Sequence, residues 1–301
     1  LAPARHIRET NRGAGMHIEP IQTTKTTAFG ATVTGVDLNR LADDEWTVIE
    51  AAWYEHAVLV FPNQHVEEPA HVALGERIGD LEQFVADQKS VPISNRRVDG
   101  SAVDPNSDHF QILKGNEGWH TDSTYMPLSA RASILAAQVV PTEGGQTEWA
   151  DMRAADDALD DETREQIADL AAYHSLFYSQ SKVGHKPAVG ASYGLSDQDI
   201  PLRPLVKVHP VTQRPALFIG RHAYGIPGLS QAESEALLER LTAFACQSPR
   251  VFAHAWEPGD VVMWDNRCVL HRARPYDYAK PRVMRHVRVA GDPITEAGIQ
   301  N

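Results

Sequence analysis

The chain has 301 residues, of which 42% are hydrophobic and 23% charged, and its formal net charge is −12. These values are ordinary for a globular protein. The acidic balance argues against a general binder of nucleic acid or anionic membranes, because either needs a basic face, but it permits a small anionic substrate in a local basic pocket. No apolar run approaches the roughly 20 residues of a membrane helix. Two cysteines, Cys246 and Cys268, are too few for a disulfide framework, so we expect a cytoplasmic protein without a nucleic-acid or membrane partner.

The first residues differ in character from the rest of the chain. Residues 1–15 are basic and polar, without hydrophobic period, and lack the apolar centre of a signal peptide. We expect a disordered leader or a cloning remnant there, with Met16 as the natural start. No internal repeat or change of composition divides residues 16–301, which are expected to form a single domain.

Hydrophobic periodicity predicts the elements of the first part of the chain. Residues 85–115 are polar and are predicted to be a long loop over the approach to a site. In chain order we predict a strand at 29–38, a helix at 43–56 that begins with three acids, a buried strand at 57–61, a helix at 68–78, and a short strand at 91–94 within the long loop.

The second part alternates strands with helices of different lengths. Residues 179–198 have no period and are either a mobile lid or a plain surface loop. We predict strands at 132–140, 147–150, 260–265 and 282–290, a hairpin at 206–219, and helices at 152–159, 162–171 and 231–246, with Asp151 and Asp160 or Asp161 as N-caps. Strands before, between and after helices, without βαβ alternation, favour one α+β, mainly β domain built on a sandwich or barrel.

A histidine and an aspartate stand two residues apart in Gly118-Trp119-His120-Thr121-Asp122-Ser123. On a strand, both side chains would point to the same face. Because the chain has 14 histidines, chance alone can supply such a pair, and a metal site needs a third ligand. His271 follows the strand at 260–265 and can return to the same mouth of a sandwich. A hydrogen-bonded histidine at a strand end is the alternative for His271.

Two histidines and one carboxylate on one face of an octahedral metal leave three positions open, as in non-haem Fe(II) oxygenases. Zinc is not excluded by the ligand types alone. The strand that follows carries more charge than a buried sheet normally holds: Arg282, Met284, His286 and Arg288 share one face by period two. Arg282 lies eleven residues after His271, where its planar fork can bind a dicarboxylate. The alternative is an exposed edge-strand arginine paired with a surface acid.

These motifs resemble the taurine dioxygenase/2,4-D dioxygenase family of Fe(II)- and 2-oxoglutarate-dependent oxygenases. The resemblance runs from about Ile18 to Gly291. The motifs that carry it are His120-Thr121-Asp122, Glu143-Gly144-Gly145-Gln146-Thr147, Trp264-Asp265-Asn266-Arg267, and His271 with Arg282.

The resemblance implies a double-stranded β-helix (jelly-roll) core with flanking helices, and Fe(II), 2-oxoglutarate and O2 as cofactors. It implies that His120, Asp122 and His271 bind the iron, and that Arg282 holds the far carboxylate of 2-oxoglutarate with help from Thr147. Asn116 and Trp264 match residues that face the site in the family. Their alternatives are a loop cap for Asn116 and ordinary core for Trp264.

One departure from the family bears on the substrate. In taurine dioxygenase an arginine four residues past the cosubstrate arginine holds the sulfonate, whereas this chain has His286 there. The neighbouring Arg285 would point to the opposite face, which argues against taurine. The chain is more similar to bacterial aryloxyalkanoate dioxygenases that act on (S)-2-phenoxypropionates. The stretches that carry this similarity are 119–127, 174–176, 201–210, 219–223 and 281–284.

The closer resemblance implies a small anionic aromatic substrate. Hydroxylation of the carbon next to its ether oxygen would release a phenol and a 2-oxo acid, together with succinate and CO2. We expect a homo-oligomer. One alternative is the same oxygenase acting on an alkyl sulfonate or sulfate ester, and another is a metal-binding jelly-roll module without catalysis. The candidate residues for the substrate are Ser123, Arg221, His222 and His286.

Overall fold

The computed structural model describes residues 15–23, 28–84 and 88–299. Residues 1–14 of the expected leader lie outside this part. None of the helices in these ranges has the length and apolar character to cross a membrane. The α-helices are α1 (Asp43–His56), α2 (Glu68–Glu76), α3 (Asp108–Gly115), α4 (Met152–Asp157), α5 (Asp161–Ile167), α6 (Leu176–Ser181) and α7 (Gln231–Ala245).

Strands outnumber helices in the same ranges. The strands are β1 (His17–Thr23), β2 (Ala28–Thr34), β3 (Val58–Phe61), β4 (Val91–Ser94), β5 (Ala132–Val139), β6 (Thr147–Asp151), β7 (Ala171–His174), β8 (Leu202–Pro204), β9 (Val206–Val208), β10 (Pro215–Leu217), β11 (Ala223–Tyr224), β12 (Val251–His254), β13 (Val261–Asp265), β14 (Val269–Ala273) and β15 (Val283–Val289).

A seven-stranded sheet is the larger unit, in the order β1-β2-β3-β13-β5-β15-β4. Its pairs are antiparallel except β2 with β3. A three-stranded antiparallel sheet, β12-β6-β14, is the second unit. Trp149 and Leu270 of the small sheet share one buried cluster with Trp264 and Met284 of the large sheet. The two sheets therefore bury their apolar faces against each other, as in a sandwich.

The outer face of the large sheet is covered by α1 and α2. Trp46, Ile49 and Trp53 of α1 pack at helical spacing against Ile134 and Met263 of the sheet. Three acids in the first turn of α1 favour its positive end. The helix ends at Ala57, whose positive φ of 63° turns the chain directly into β3.

The structure corrects two predicted elements. The polar stretch 85–115, predicted as a loop, contains α3, because Ser107 caps the helix at Phe110 N (3.3 Å) and Leu113 is buried. The helix predicted to reach Ala171 ends at Ile167, and Ala171 begins β7, which pairs with β8 and β11. In both places a cap or a distant strand partner overrides the local pattern.

Several other predictions are confirmed. Asp151 and Asp160 are the N-caps of α4 and α5. The predicted hairpin consists of β9 paired with β10. The predicted strands and helices not named above agree with the structure within a few residues.

The buried His71 predicts an acid-sensitive fold. Its ring lies on α2 with Nε2 3.2 Å from the Ile134 carbonyl oxygen, and burial lowers the pKa of His71 to about 4. The unfolded chain therefore binds a proton that the folded chain excludes. This contribution to stability is present above pH 6.5 and is lost as the pH falls toward 4.

We expect His71→Gln to remove part of this pH dependence. When the pH is lowered from about 7.5 to about 5, the free energy of unfolding measured in urea should fall by about 2 kcal/mol more for the wild-type protein than for the variant. The control is His17→Gln on exposed β1, which should follow the wild type. Equal losses in wild type and His71→Gln would show that His71 does not carry this dependence.

Candidate metal centre and its two cavities

The structure brings His120, Asp122 and His271 together. One ligand atom from each residue lies within 4.8 Å of the others, and all three side chains are buried. His120 and His271 are held by a pair of backbone hydrogen bonds, His120 N to His271 O (3.0 Å) and His271 N to His120 O (2.8 Å). His120 lies on an isolated β-bridge and Asp122 lies in the turn that follows, so the two residues are not on a continuous strand. Pairing with β14 is what supplies the third residue.

The donor atoms of this cluster suit a divalent metal. His120 Nδ1 lies 2.8 Å from the Gly118 carbonyl oxygen and donates to it, which leaves the Nε2 lone pair free. Burial lowers the pKa of His120 to about 3 and of His271 to about 4, so both rings are neutral at neutral pH. Burial alone would raise the pKa of Asp122, but the Arg288 guanidinium lowers it well below its usual range. Two neutral imidazoles and one carboxylate fit the three-residue iron site.

The Asp122 carboxylate is fixed from both sides. Its Oδ1 accepts from Arg288 Nη2 (3.0 Å), and its Oδ2 accepts from Ser133 Oγ (2.6 Å). Ser133 Oγ in turn accepts from Asn266 Nδ2 (2.9 Å). Such partners orient a metal ligand and affect its affinity. Sequence reasoning placed Arg288 on the correct face without a role, and no local signal pointed to Ser133.

A small cavity adjoins the cluster on the side of Arg282. This side chain is 4% exposed, and its Nε donates to the Gly145 carbonyl oxygen (3.3 Å). Neither Asp nor Glu pairs with Arg282 within the ranges described above. The alternative of an exposed edge-strand arginine is therefore wrong. A buried cation without an anion is costly, so the small cavity suits an anionic ligand.

Three further predicted residues line the same cavity. Thr147 Oγ1 accepts from Trp256 Nε1 (2.9 Å), which leaves the hydroxyl hydrogen available to a ligand. Asn116 is the C-cap of α3 and also faces the cavity. Trp264 belongs to the core and also packs against His271, with ring centroids 4.7 Å apart. For Asn116 and Trp264 the structural and the site-facing interpretations both apply.

A second, larger cavity of about 670 Å³ opens on the other side of the metal cluster. The residues that line both cavities are Ile93, Asn116, His120, Asp122 and Arg288. The larger one has a polar end at the cluster and an apolar body. Residues of the apolar body include Phe84, Ile93, Ile112, Leu176 and Tyr193.

Two of the four candidate substrate residues line the larger cavity. Arg221 donates to the Gly115 carbonyl oxygen, and also to that of Ser179 (3.0 Å). His222 Nδ1 lies 2.8 Å from Ser179 Oγ, which itself donates to Leu176 O (2.9 Å). His222 therefore donates from Nδ1 and keeps an Nε2 lone pair. Burial lowers the pKa of His222 well below 6.5, which keeps the ring neutral.

The other two candidates lie elsewhere. His286 lines the smaller cavity, with Nε2 3.8 Å from Asp122 Oδ2, and its ring stacks on Trp264. Ser123 is fully buried behind Asp122 and lines neither cavity. Arg285 points to the opposite face, as predicted, and pairs with Glu68 (2.6 Å).

The chain is similar in sequence and in fold to known proteins. A family model described as taurine catabolism dioxygenase TauD, TfdA family, matches residues 17–290. The chain is 53% identical over 277 residues to an (S)-phenoxypropionate/alpha-ketoglutarate-dioxygenase of Sphingobium herbicidovorans, covering 90% of this chain and 95% of that protein. It is 50% identical over 284 residues to a protein of the same name from Delftia acidovorans, covering 92% and 97%. A crystal structure of AAD-2 in complex with Mn(II) and N-oxalylglycine matches with a TM-score of 0.85 at 37% identity, covering 96% of this chain and 100% of that chain. The chain therefore belongs to the TauD/TfdA family of dioxygenases.

Proposed function

We propose that this protein is an Fe(II)- and 2-oxoglutarate-dependent dioxygenase that acts on aryloxyalkanoates. It hydroxylates the carbon next to the ether oxygen, and the product collapses to a phenol and a 2-oxo acid, with succinate and CO2 as coproducts. The observation that carries the proposal is the buried His120–Asp122–His271 cluster beside Arg282, a buried cation without a protein anion. Two relatives at 50% identity or more, named as phenoxypropionate dioxygenases, support the substrate class.

His120, Asp122 and His271 hold Fe(II), which supplies the activation of O2 and the oxidation of the substrate C–H bond when bound. Arg282 binds the far carboxylate of 2-oxoglutarate through its planar fork, and the Thr147 hydroxyl donates to the same end. Asn116 and Trp264 line the smaller cavity, where 2-oxoglutarate would bind. The protein's contribution is to orient the two organic ligands and to keep water away from the reacting carbon.

The charges in the site suit two organic anions. Arg288 is neutralised by Asp122 and Glu82. Arg282 and Arg221 have no such partner in the described part of the chain. We assign Arg282 to the cosubstrate and Arg221, with the His222 ring beside it, to the substrate carboxylate. The apolar body of the larger cavity then takes the aryl ring. Ser123 lies behind the metal cluster and His286 lines the cosubstrate cavity, so neither is assigned to the substrate.

The arrangement of the sheets supports a finer description of the fold. A large, mostly antiparallel sheet and a small antiparallel sheet share one core, which supports a double-stranded β-helix in a single domain over residues 16–301. The two free cysteines support a reducing cytoplasm as the location. The homo-oligomer stays a prediction.

A substrate panel tests the assignment. With Fe(II), 2-oxoglutarate and air, both enantiomers of 2-phenoxypropionate, phenoxyacetate, taurine and an alkyl sulfate ester are compared by kcat/KM. We expect an aryloxyalkanoate to be preferred, because the larger cavity has an apolar body and one unpaired arginine. Relatives of 31% identity or less include a sulfate ester dioxygenase. A preference for the sulfate ester would contradict the proposal that the substrate is an aryloxyalkanoate, but the protein would still be an Fe(II)- and 2-oxoglutarate-dependent oxygenase.

A further inference from the structure

Glu82 is a buried carboxylate for which the proposed reaction has no use. It is 8% exposed, and its carboxylate lies between Ser123, which follows Asp122 in the chain, and Tyr193 in the wall of the larger cavity. Its backbone N–H donates to the Arg288 carbonyl oxygen (2.9 Å), which attaches this segment to β15. A buried acid is costly unless it is paired, so the partners of Glu82 are the key to its role.

Three donors lie within hydrogen-bonding distance of the Glu82 carboxylate. Its Oε2 accepts from Ser123 Oγ (2.7 Å) and Tyr193 Oη (2.8 Å), and Arg288 Nη1 lies 3.5 Å away. Arg288 Nη1 also donates to Ser123 Oγ (2.9 Å), and Arg288 Nη2 donates to Asp122 Oδ1 (3.0 Å). A continuous chain of hydrogen bonds therefore joins Tyr193 to a residue of the metal cluster.

An aromatic ring covers part of this chain of contacts. The Phe84 ring lies 4.7 Å from the Arg288 guanidinium and 4.8 Å from the Tyr193 ring. Arg288 lines both cavities, and its two terminal nitrogens lie against the acids, Nη2 on Asp122 and Nη1 on Glu82. Hydrogen bonds to charged groups are strongest where water is excluded.

Tyr193 belongs to the wall against which a substrate would pack. Residues 190–193 line the larger cavity. Gly194 has φ +78°, and a Cβ there would lie 2.1 Å from the Tyr125 ring, so this turn needs glycine. The close fit places Tyr193 with its ring in the cavity wall and its hydroxyl on Glu82.

We propose that Glu82 is a positioning residue that holds Arg288 against Asp122 and couples this pair to Tyr193 in the cavity wall. The proposal rests on the proposed function for the identity of the metal and of the substrate. Without the Glu82 charge, Arg288 keeps one anion instead of two, and the larger uncompensated positive charge beside the metal cluster weakens the binding of a cation there. Substrate that packs against Tyr193 in turn steadies the same network, and the coupling is reciprocal.

The test measures metal affinity without turnover. Mn(II) is titrated anaerobically in the presence of 2-oxoglutarate and followed by quenching of tryptophan fluorescence, since Trp264 packs on His271. Glu82→Gln keeps the size of the side chain and removes its charge. We expect it to weaken Mn(II) binding about tenfold, at the lower end of what loss of a supporting group costs. Wild-type affinity in a folded Glu82→Gln protein would overturn the proposal.

Tyr193→Phe provides a second arm that leaves the buried charges in place. We expect its Mn(II) affinity without substrate to match the wild type, and the gain in affinity on adding an aryloxypropionate to disappear. Tyr178→Phe is the matched control, because Tyr178 Oη donates to Glu235 (3.2 Å) outside the two cavities of the metal centre. An unchanged gain in Tyr193→Phe would overturn the coupling. No gain in wild type with any aryloxyalkanoate would count against the substrate, while Glu82→Gln still decides the role of Glu82.

Discussion

An Asp122→Asn variant is expected to lose metal-dependent turnover almost completely while it keeps the fold. The amide has nearly the shape of the carboxylate, but its neutral oxygen is a weaker donor to Fe(II). Arg288 also loses the anion that lies 3.0 Å from its Nη2. Loss of a group that only supports a metal ligand costs about 10- to 100-fold in affinity or activity. Loss of a metal ligand itself should therefore lower metal affinity or activity by more than this factor.

Two measurements check this variant. Mn(II) affinity is read anaerobically, and phenol release is read with saturating Fe(II) and 2-oxoglutarate. Asp260→Asn is the control, because Asp260 is also buried and lies 2.9 Å from a histidine ring, that of His254, away from the metal cluster. Near-wild-type metal affinity and turnover in Asp122→Asn would remove Asp122 from the ligand set.

An Arg282→Met variant is expected to raise the KM for 2-oxoglutarate by at least 30-fold. Truncating one partner of a buried, hydrogen-bonded charge pair costs roughly 2–5 kcal/mol, and every 1.4 kcal/mol is tenfold. The metal ligands are untouched, so Mn(II) affinity without cosubstrate should change little. Arg282→Lys keeps the charge but loses the bidentate fork, and we expect an intermediate KM.

Arg285→Met is the control for Arg282→Met. Arg285 lies three residues after Arg282, on β15 and facing the opposite side, where it pairs with Glu68. We expect its 2-oxoglutarate KM to match the wild type. If both variants raise this KM equally, the effect comes from damage to β15 and not from a lost contact with the cosubstrate.

The sequence was most informative where spacing and chemistry coincide. His120 and Asp122 are two residues apart, and the charge on the strand after Arg282 could not belong to an ordinary buried sheet. The position of His271 after the strand at 260–265 indicates a third ligand, and the family resemblance implies the same residue. The structure adds the reason that they meet: His120 pairs its backbone with His271 on β14.

The network behind Asp122 could not be predicted in this way. Glu82 lies 41 residues from Ser123 and 206 from Arg288 along the chain, and no local pattern reports such pairs. Arg288 was placed on the correct face by period two, yet its partners come from segments with no recognisable motif. The prediction of a loop at 85–115 is wrong for a different reason: a local cap at Ser107 and one buried leucine are enough to form α3 within a polar stretch.

The stoichiometry of one reaction tests the central claim most directly. Under air, with Fe(II), 2-oxoglutarate and an aryloxypropionate, phenol and succinate are quantified in the same sample. We predict one phenol per succinate, and neither product when Fe(II) is removed by a chelator. Phenol formed without 2-oxoglutarate, or succinate formed at full rate without phenol for every aryloxyalkanoate tried, would contradict the account.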